Sequence, residues 1–230
     1  MTIASRSSDS RALTSVRVSF GDQSLFGDLA SPAHASGVIA FAHGSGSSRF
    51  STRNQHVARA FQQHGFATLL IDLLTPDEEA IDSRTAHLRF DIDLLASRMV
   101  AIIDWLRRWP ATSSLPIGLF GASTGGAAAL VAAAARPHEV EAIVSRGGRP
   151  DLAGPALPIV VAPTLLIVGG RDTDVIALNR DAMAQMSCEV VLDIVPGATH
   201  LFEEPGALDR VAELAGAWFG RYLTANIPPR

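Results

Sequence analysis

Leu115-Pro-Ile-Gly-Leu-Phe-Gly-Ala-Ser123-Thr-Gly-Gly-Ala-Ala-Ala-Leu130 runs from a short apolar stretch through a glycine-flanked serine into an alanine-rich segment. Read as strand, turn and helix, it carries Gly121-Ala122-Ser123-Thr124-Gly125, the pattern G-x-S-x-G in the context that gives it chemical meaning. The spacing has a steric reason. A serine projected from a tight, strained turn leaves no room for bulky side chains two positions before or after it. Gly121 and Gly125 meet that demand, and Gly126 and Ala127 let the helix lie close to the sheet. The same turn puts the Thr124 amide at a helix N-terminus, where it can donate to a developing oxyanion. Small residues that merely permit close helix–strand packing give the same pattern. A base and an acid in the right loops decide between the two readings.

Working outward, short apolar runs alternate with longer amphipathic ones. Strands are expected at Val16–Phe20, Ser24–Ala30, Val38–His43, Ala67–Asp72, Ile117–Phe120, Ala142–Ser145, Thr164–Val168 and Val190–Val195. Helices are expected at Thr52–His64, Arg84–Arg108, Thr124–Ala135, Val175–Gln185 and Leu208–Thr224. Apolar strands separated by helices predict a mostly parallel central sheet flanked by helices, an α/β class. The first two runs alternate more openly and can pair antiparallel through Gly21-Asp22-Gln23. Residues 1–14, rich in Ser and Arg, are expected to be a flexible arm, with residues 15–230 forming one domain. The length of 230 residues fits that single domain, which at about 150 residues per domain is large but needs no staple.

Composition excludes several chemistries. All 19 basic residues are Arg, so a Lys-dependent phosphate loop, a Schiff base and a Ser–Lys dyad are all ruled out. Cys188 stands alone, which rules out an internal disulfide, and it reads as an inert core thiol. The net charge of −4 argues against nucleic acid as a partner. No apolar run is long enough to span a membrane, and the polar start lacks a signal peptide. The expected location is therefore cytoplasmic. No cofactor and no metal are expected.

The acid and the base appear in the expected loops. The strand at Thr164–Val168 leads into Gly169-Gly-Arg-Asp172, and the last strand leads into Gly197-Ala-Thr-His200. Loops after the carboxyl ends of parallel strands open on one edge of the sheet, so Ser123, Asp172 and His200 are expected to converge. The chain order Ser, Asp, His is the one this architecture uses. Asp174 is a neighbouring alternative to Asp172. The other histidines, His34, His56, His64, His87 and His138, fall on polar faces or in loops. Upstream, His43-Gly44-Ser45-Gly46 follows a strand at the same edge. The Ser45 amide, or that of Gly46, would join Thr124 in an oxyanion hole, with His43 orienting the loop. Arg146 and Arg149 follow a strand at that edge. They can bind a substrate carboxylate or, more commonly for such residues, stand solvated in a loop. Asp77, Glu78 and Glu79 read as an acidic loop at the mouth. Trp105, Trp109 and Trp218 read as packing.

These four motifs, in this order on these elements, resemble the α/β-hydrolase superfamily and, more narrowly, its dienelactone hydrolase-like branch, over roughly Val16 to Leu223. The resemblance implies a single-domain fold without a large cap, a Ser-His-Asp triad and an acyl-enzyme intermediate. Dienelactone hydrolases proper carry Cys at the elbow, so Ser123 points toward carboxylic esters of small to medium size. The expected partner is thus a small-molecule ester, with the protein a monomer or small homo-oligomer. Thioesterase and acyltransferase chemistry use the same parts, and a catalytically idle hydrolase fold used for binding is a rival from another class. A dinucleotide-binding reading rests on Gly44-Ser-Gly46-Ser-Ser-Arg49 with Asp72 as the ribose acid. It fails at Arg49, which stands where a small residue is required.

Overall fold

The structure is a computed structural model that describes residues 12–223. Its strands form where apolar runs are too short for a helix and are buried on both sides. β3 (Val38–Ala42), β5 (Ile117–Ala122), β6 (Ala142–Arg146) and β7 (Thr164–Gly169) are buried at every residue. Together with β1 (Ala12–Phe20), β2 (Gln23–Ser31), β4 (Ala67–Ile71) and β8 (Val190–Val195) they build one eight-stranded sheet in the order β1-β2-β4-β3-β5-β6-β7-β8. β1 and β2 pair antiparallel, as do β2 and β4, and all other neighbours are parallel.

Helices cover both faces. α1 (Thr52–Gln63) and α6 (Ala207–Tyr222) lie on one side; α3 (Ile92–Leu106) and α4 (Thr124–Ala135) lie on the other. Alternation along β3 shows how one strand serves both cores. Ile39 and Phe41 face α1 and α6, whereas Val38, Ala40 and Ala42 face α3 and α4. On the α1 side Phe41, Phe61, Phe120 and Phe219 stack in tilted and edge-on pairs with centroids 4.9–5.8 Å apart. Trp105 and Trp109 stack at 4.7 Å, and Trp218 packs on Tyr222, in keeping with their expected packing role. Cys188 is half-buried against the core, where burial pushes its thiol above the ordinary value.

All eight expected strands are present, with bounds shifted mainly at the first. β1 begins at Ala12, so residues 12–14 are paired strand rather than arm, held by Ala12↔Ser31, Leu13↔Ala30 and Thr14↔Leu29. Residues 1–11 of that arm, and Thr224 of the last expected helix, lie outside the described residues. The hairpin turn is Gly21-Asp22 alone, because Gln23 already pairs with Phe20. α5 (Thr173–Met183) starts two residues before its expected position.

The larger correction is the helix expected over Arg84–Arg108. The chain forms α2 (Pro76–Thr85), a 3₁₀ turn at Leu88–Phe90, and then α3. Local caps account for this division. Thr75 and Glu78 form a reciprocal capping box with Pro76 in the first turn, which starts α2 at once after β4. Ala86 is left-handed and ends it; the Asp91 carboxylate then accepts from the Leu94 amide at 2.9 Å to start α3. Asp77, Glu78 and Glu79 are therefore the first turn of α2, where a helix dipole favours acids, and not a loop. Between β6 and β7 two short 3₁₀ segments lie within Pro150–Ile159, broken at Gly154 (φ 46°), and they form no multi-helix lid. Among the described residues no helix is long and apolar enough to cross a membrane.

Candidate active site

Ser123 occupies the turn between β5 and α4 with φ 52° and ψ −122°. A left-handed backbone at a residue with a Cβ costs on the order of 1–3 kcal/mol, so the surroundings must enforce it. They do so by closeness. A Cβ on Gly121 would sit 2.5 Å from the Gly125 carbonyl, and one on Gly125 would sit 2.2 Å from the Ala42 carbonyl. The backbone of Ser123 is also tied to the next strand: its amide donates to Arg146 O at 3.3 Å, and its carbonyl accepts from the Arg149 and Gly126 amides at 3.1 and 3.0 Å.

β7 and β8 deliver the other two side chains. Their ends are in register at Gly169↔Val195, and the loops beyond are laced by Gly170 N–H to Val195 O and Arg171 N–H to Ala198 O. His200 Nδ1 donates to Asp172 Oδ2 at 2.6 Å. That bond fixes the tautomer and leaves Nε2 free. Asp172 occupies the cap position of α5 yet makes no capping bond; its carboxylate goes to the imidazole. Asp174 is exposed inside α5, so the structure brings Asp172, and not its neighbour, to His200. Ser123 and His200 share the walls of one cavity of about 210 Å³. Among the hydrogen bonds of the described residues there is none between Ser123 Oγ and His200.

The loop after β3 forms the facing wall. Gly44 lies against the elbow, where a Cβ would come within 3.0 Å of Ser123 Cβ, and Ser45 lines the same cavity. His43 holds this loop. Its Nε2 accepts from the Leu73 amide and its Nδ1 donates to Gly44 O, both at 3.0 Å. Burial pushes its pKa below the ordinary value, against the opposing pull of Gly44 and of Asp72 and Glu79. A neutral imidazole fixed at both nitrogens is an orienting group and not a base. Thr124 contributes the first amide of α4, which has no intrahelical acceptor.

Arg146 and Arg149 prove unlike. Arg149 forks onto Asp151 at 2.8 and 2.7 Å, a pairing that raises its pKa and commits it to the protein. Arg146 is no solvated loop residue. It ends β6 at 6% exposure and lines the cavity with Ser123 and His200.

Sequence reasoning missed Arg53 and Asn54, which line the cavity from the first turn of α1. It also missed Glu204, whose carboxylate accepts from the Thr199 amide at 3.1 Å, a bond that draws its pKa down and braces the His200 loop. A helix opening directly after a loop at the edge that carries Ser123 is the available signal for Arg53 and Asn54.

Comparison with known proteins gives a consistent fold. Residues 26–219 match the dienelactone hydrolase family. The crystal structure of dienelactone hydrolase from Anabaena variabilis is 62% identical, with a TM-score of 0.91 over 93% of this chain and 99% of that one. A Xanthomonas campestris protein described as an α/β serine hydrolase without lid shares the fold at 18% identity, with a TM-score of 0.74 over 95% and 96% of the two chains. A Mycobacterium tuberculosis protein provisionally named a phosphoribosyl transferase is 57% identical over 213 residues, which are 93% of this chain and 47% of that protein. The chain thus spans about half the length of the curated relatives it matches.

Proposed function

The chain belongs to the dienelactone hydrolase family, and on that premise we propose that it is a serine hydrolase of small carboxylic esters, working through Ser123, His200 and Asp172. The observation that carries this reading is the 2.6 Å bond from His200 to Asp172, facing a strained Ser123 across one cavity.

In this mechanism Ser123 Oγ attacks the ester carbonyl while His200 Nε2 takes its proton. The bond to Asp172 stabilises the imidazolium that results. The amides of Thr124 and Ser45 receive the oxyanion of the tetrahedral intermediate. Collapse expels the alcohol, which leaves with the proton from His200. A water molecule, deprotonated by the same nitrogen, then attacks the acyl-serine and releases the acid, returning the proton to Ser123. Ester plus water gives acid plus alcohol, with no other reactant. Catalytic hydrogen bonds often tighten only around substrate, and the Ser123–His200 bond is expected to form as the ester binds.

Steady-state hydrolysis of short p-nitrophenyl esters tests the reading. Ser123→Ala and His200→Ala should each cost about 10⁴-fold or more in kcat. Substantial turnover by a folded Ser123→Ala protein contradicts it. The name of the mycobacterial relative belongs to a protein about twice this length. Phosphoribosyl transfer needs no activated serine, so it would survive Ser123→Ala and is separated by the same variant.

A further inference from the structure

Arg146 raises a question that the triad does not answer. Its side chain is buried at 6% exposure, and among the described residues it has no carboxylate partner. Its Nε has no hydrogen-bond partner, its Nη2 reaches only Asn54 Oδ1 at 3.5 Å, and its guanidinium lies 5.8 Å from the centre of the Phe202 ring. Burial, and after it the like charge of Arg53, lowers its pKa to about 10. A cation taken out of water without a counter-charge is strongly unfavourable. A ligand that brings the missing negative charge into the cavity would account for its retention.

The opposite wall is also built for an anion. α1 is twelve residues long, and its first turn opens on this cavity through Ser51, Arg53 and Asn54. Ser51 Oγ accepts from the Asn54 amide, which leaves the Thr52 and Arg53 amides without intrahelical acceptors. Ser47 and Ser51 add hydroxyls to the wall. Among the described residues the only carboxylate on Arg53 is Glu203, 3.4 Å away and 65% exposed, so it screens that charge from the solvent side.

We propose that Arg146, Arg53 and the N-terminal turn of α1 form a subsite for a phosphate group carried by the ester substrate. The inference rests on the hydrolase reading, since it places the phosphate beside Ser123 as a specificity element of that same site. Donor number favours phosphate over carboxylate. A carboxylate is satisfied by a single guanidinium fork, whereas a phosphate monoester offers three acceptor oxygens and close to two charges. Two guanidiniums, two serine hydroxyls and the amides of a helix start match the second ligand.

The test titrates inorganic phosphate and acetate, at constant ionic strength, into the wild-type protein, Arg146→Met, Arg146→Lys and Arg53→Ala. Calorimetry reads binding, circular dichroism reads folding, and protection of Ser123 from a fluorophosphonate reads location. Phosphate should bind the wild type at least about tenfold more tightly than acetate and slow the labelling of Ser123. Arg146→Met and Arg53→Ala should each weaken phosphate by about tenfold or more, with partial recovery in Arg146→Lys. Phosphate binding no tighter than acetate, or unchanged in both folded Arg146→Met and folded Arg53→Ala, overturns the proposal. Calorimetry does not depend on turnover. Phosphate binding without any fluorophosphonate adduct would therefore sink the hydrolase reading and with it the ester-borne phosphate, whereas labelling without phosphate binding would sink the subsite alone.

Discussion

Of the cavities that line the loop after β3, the two largest each hold an arginine. The larger, of about 460 Å³, contains Arg49, whose guanidinium is paired with Asp72 and whose Nε lies 3.3 Å from Asp28 Oδ2. The Arg49 amide donates to Asp72 as well, at 2.8 Å. The smaller contains Arg146, which has no carboxylate partner among the described residues. Volume alone would point to the larger space, but its cation is already neutralised from within and Asp72 is engaged in holding the loop. The smaller cavity keeps its charge open and has Ser123 and His200 on its walls, with Asp172 behind the imidazole. Unbalanced charge beside reactive groups marks a site better than empty space does.

The sharpest way to break this contrast is at the acid. Asp172→Asn should lower kcat by about 10³–10⁴-fold, because the amide favours the wrong imidazole tautomer, whereas Asp174→Asn should stay within about threefold of wild type. Equal losses in the two variants would remove the reason for assigning the small cavity. Stability should separate the two arginines by sign. Arg49→Met strands two carboxylates against each other and should lower Tm by about 2–4 °C, a figure kept small because the pair is partly exposed. Arg146→Met removes an unpaired buried charge and should raise Tm by about 2–6 °C. Thermal scans that shift both in the same direction would erase the distinction drawn here.

The smallest effect concerns His43, in the loop that divides the cavities. Its folded pKa lies below the ordinary 6.5, because burial disfavours the cation. Between those two values the unfolded chain binds the proton and the folded chain does not. The stability it contributes is therefore complete above about pH 6.5 and is lost as pH falls toward the folded value, by at most about 1.4 kcal/mol per pH unit. Denaturant titrations from pH 7.5 to 5 should show this slope in the wild type and a flatter one in His43→Gln. Identical slopes would mean that His43 takes up its proton in the folded protein.

Most of the scaffold could be read from the chain because buried parallel strands announce themselves as short apolar runs. The loops carrying Ser123, Asp172 and His200 follow directly from where those runs end. The sequence predicts α4 at its observed bounds, since its alanines and glycines can pack only against a sheet. Periodicity does not reveal α2: Asp82 is its sole buried residue, so no apolar face marks it, and only the cap at Thr75 and Glu78 betrays it. The division between α2 and α3 likewise depends on caps rather than periodicity. The burial of Arg146 was hidden for a different reason. An arginine at a strand end reads as solvated, and its enclosure comes from Asn54 and Phe202, which are remote in sequence.

The central claim is that Ser123 is an activated nucleophile in the smaller cavity. Intact mass after exposure to a fluorophosphonate, on the wild-type protein and on Ser123→Ala, tests it most directly. The account predicts a single adduct on the wild type and none on the variant. A folded wild type that stays unmodified, or a variant labelled to the same extent, would contradict it.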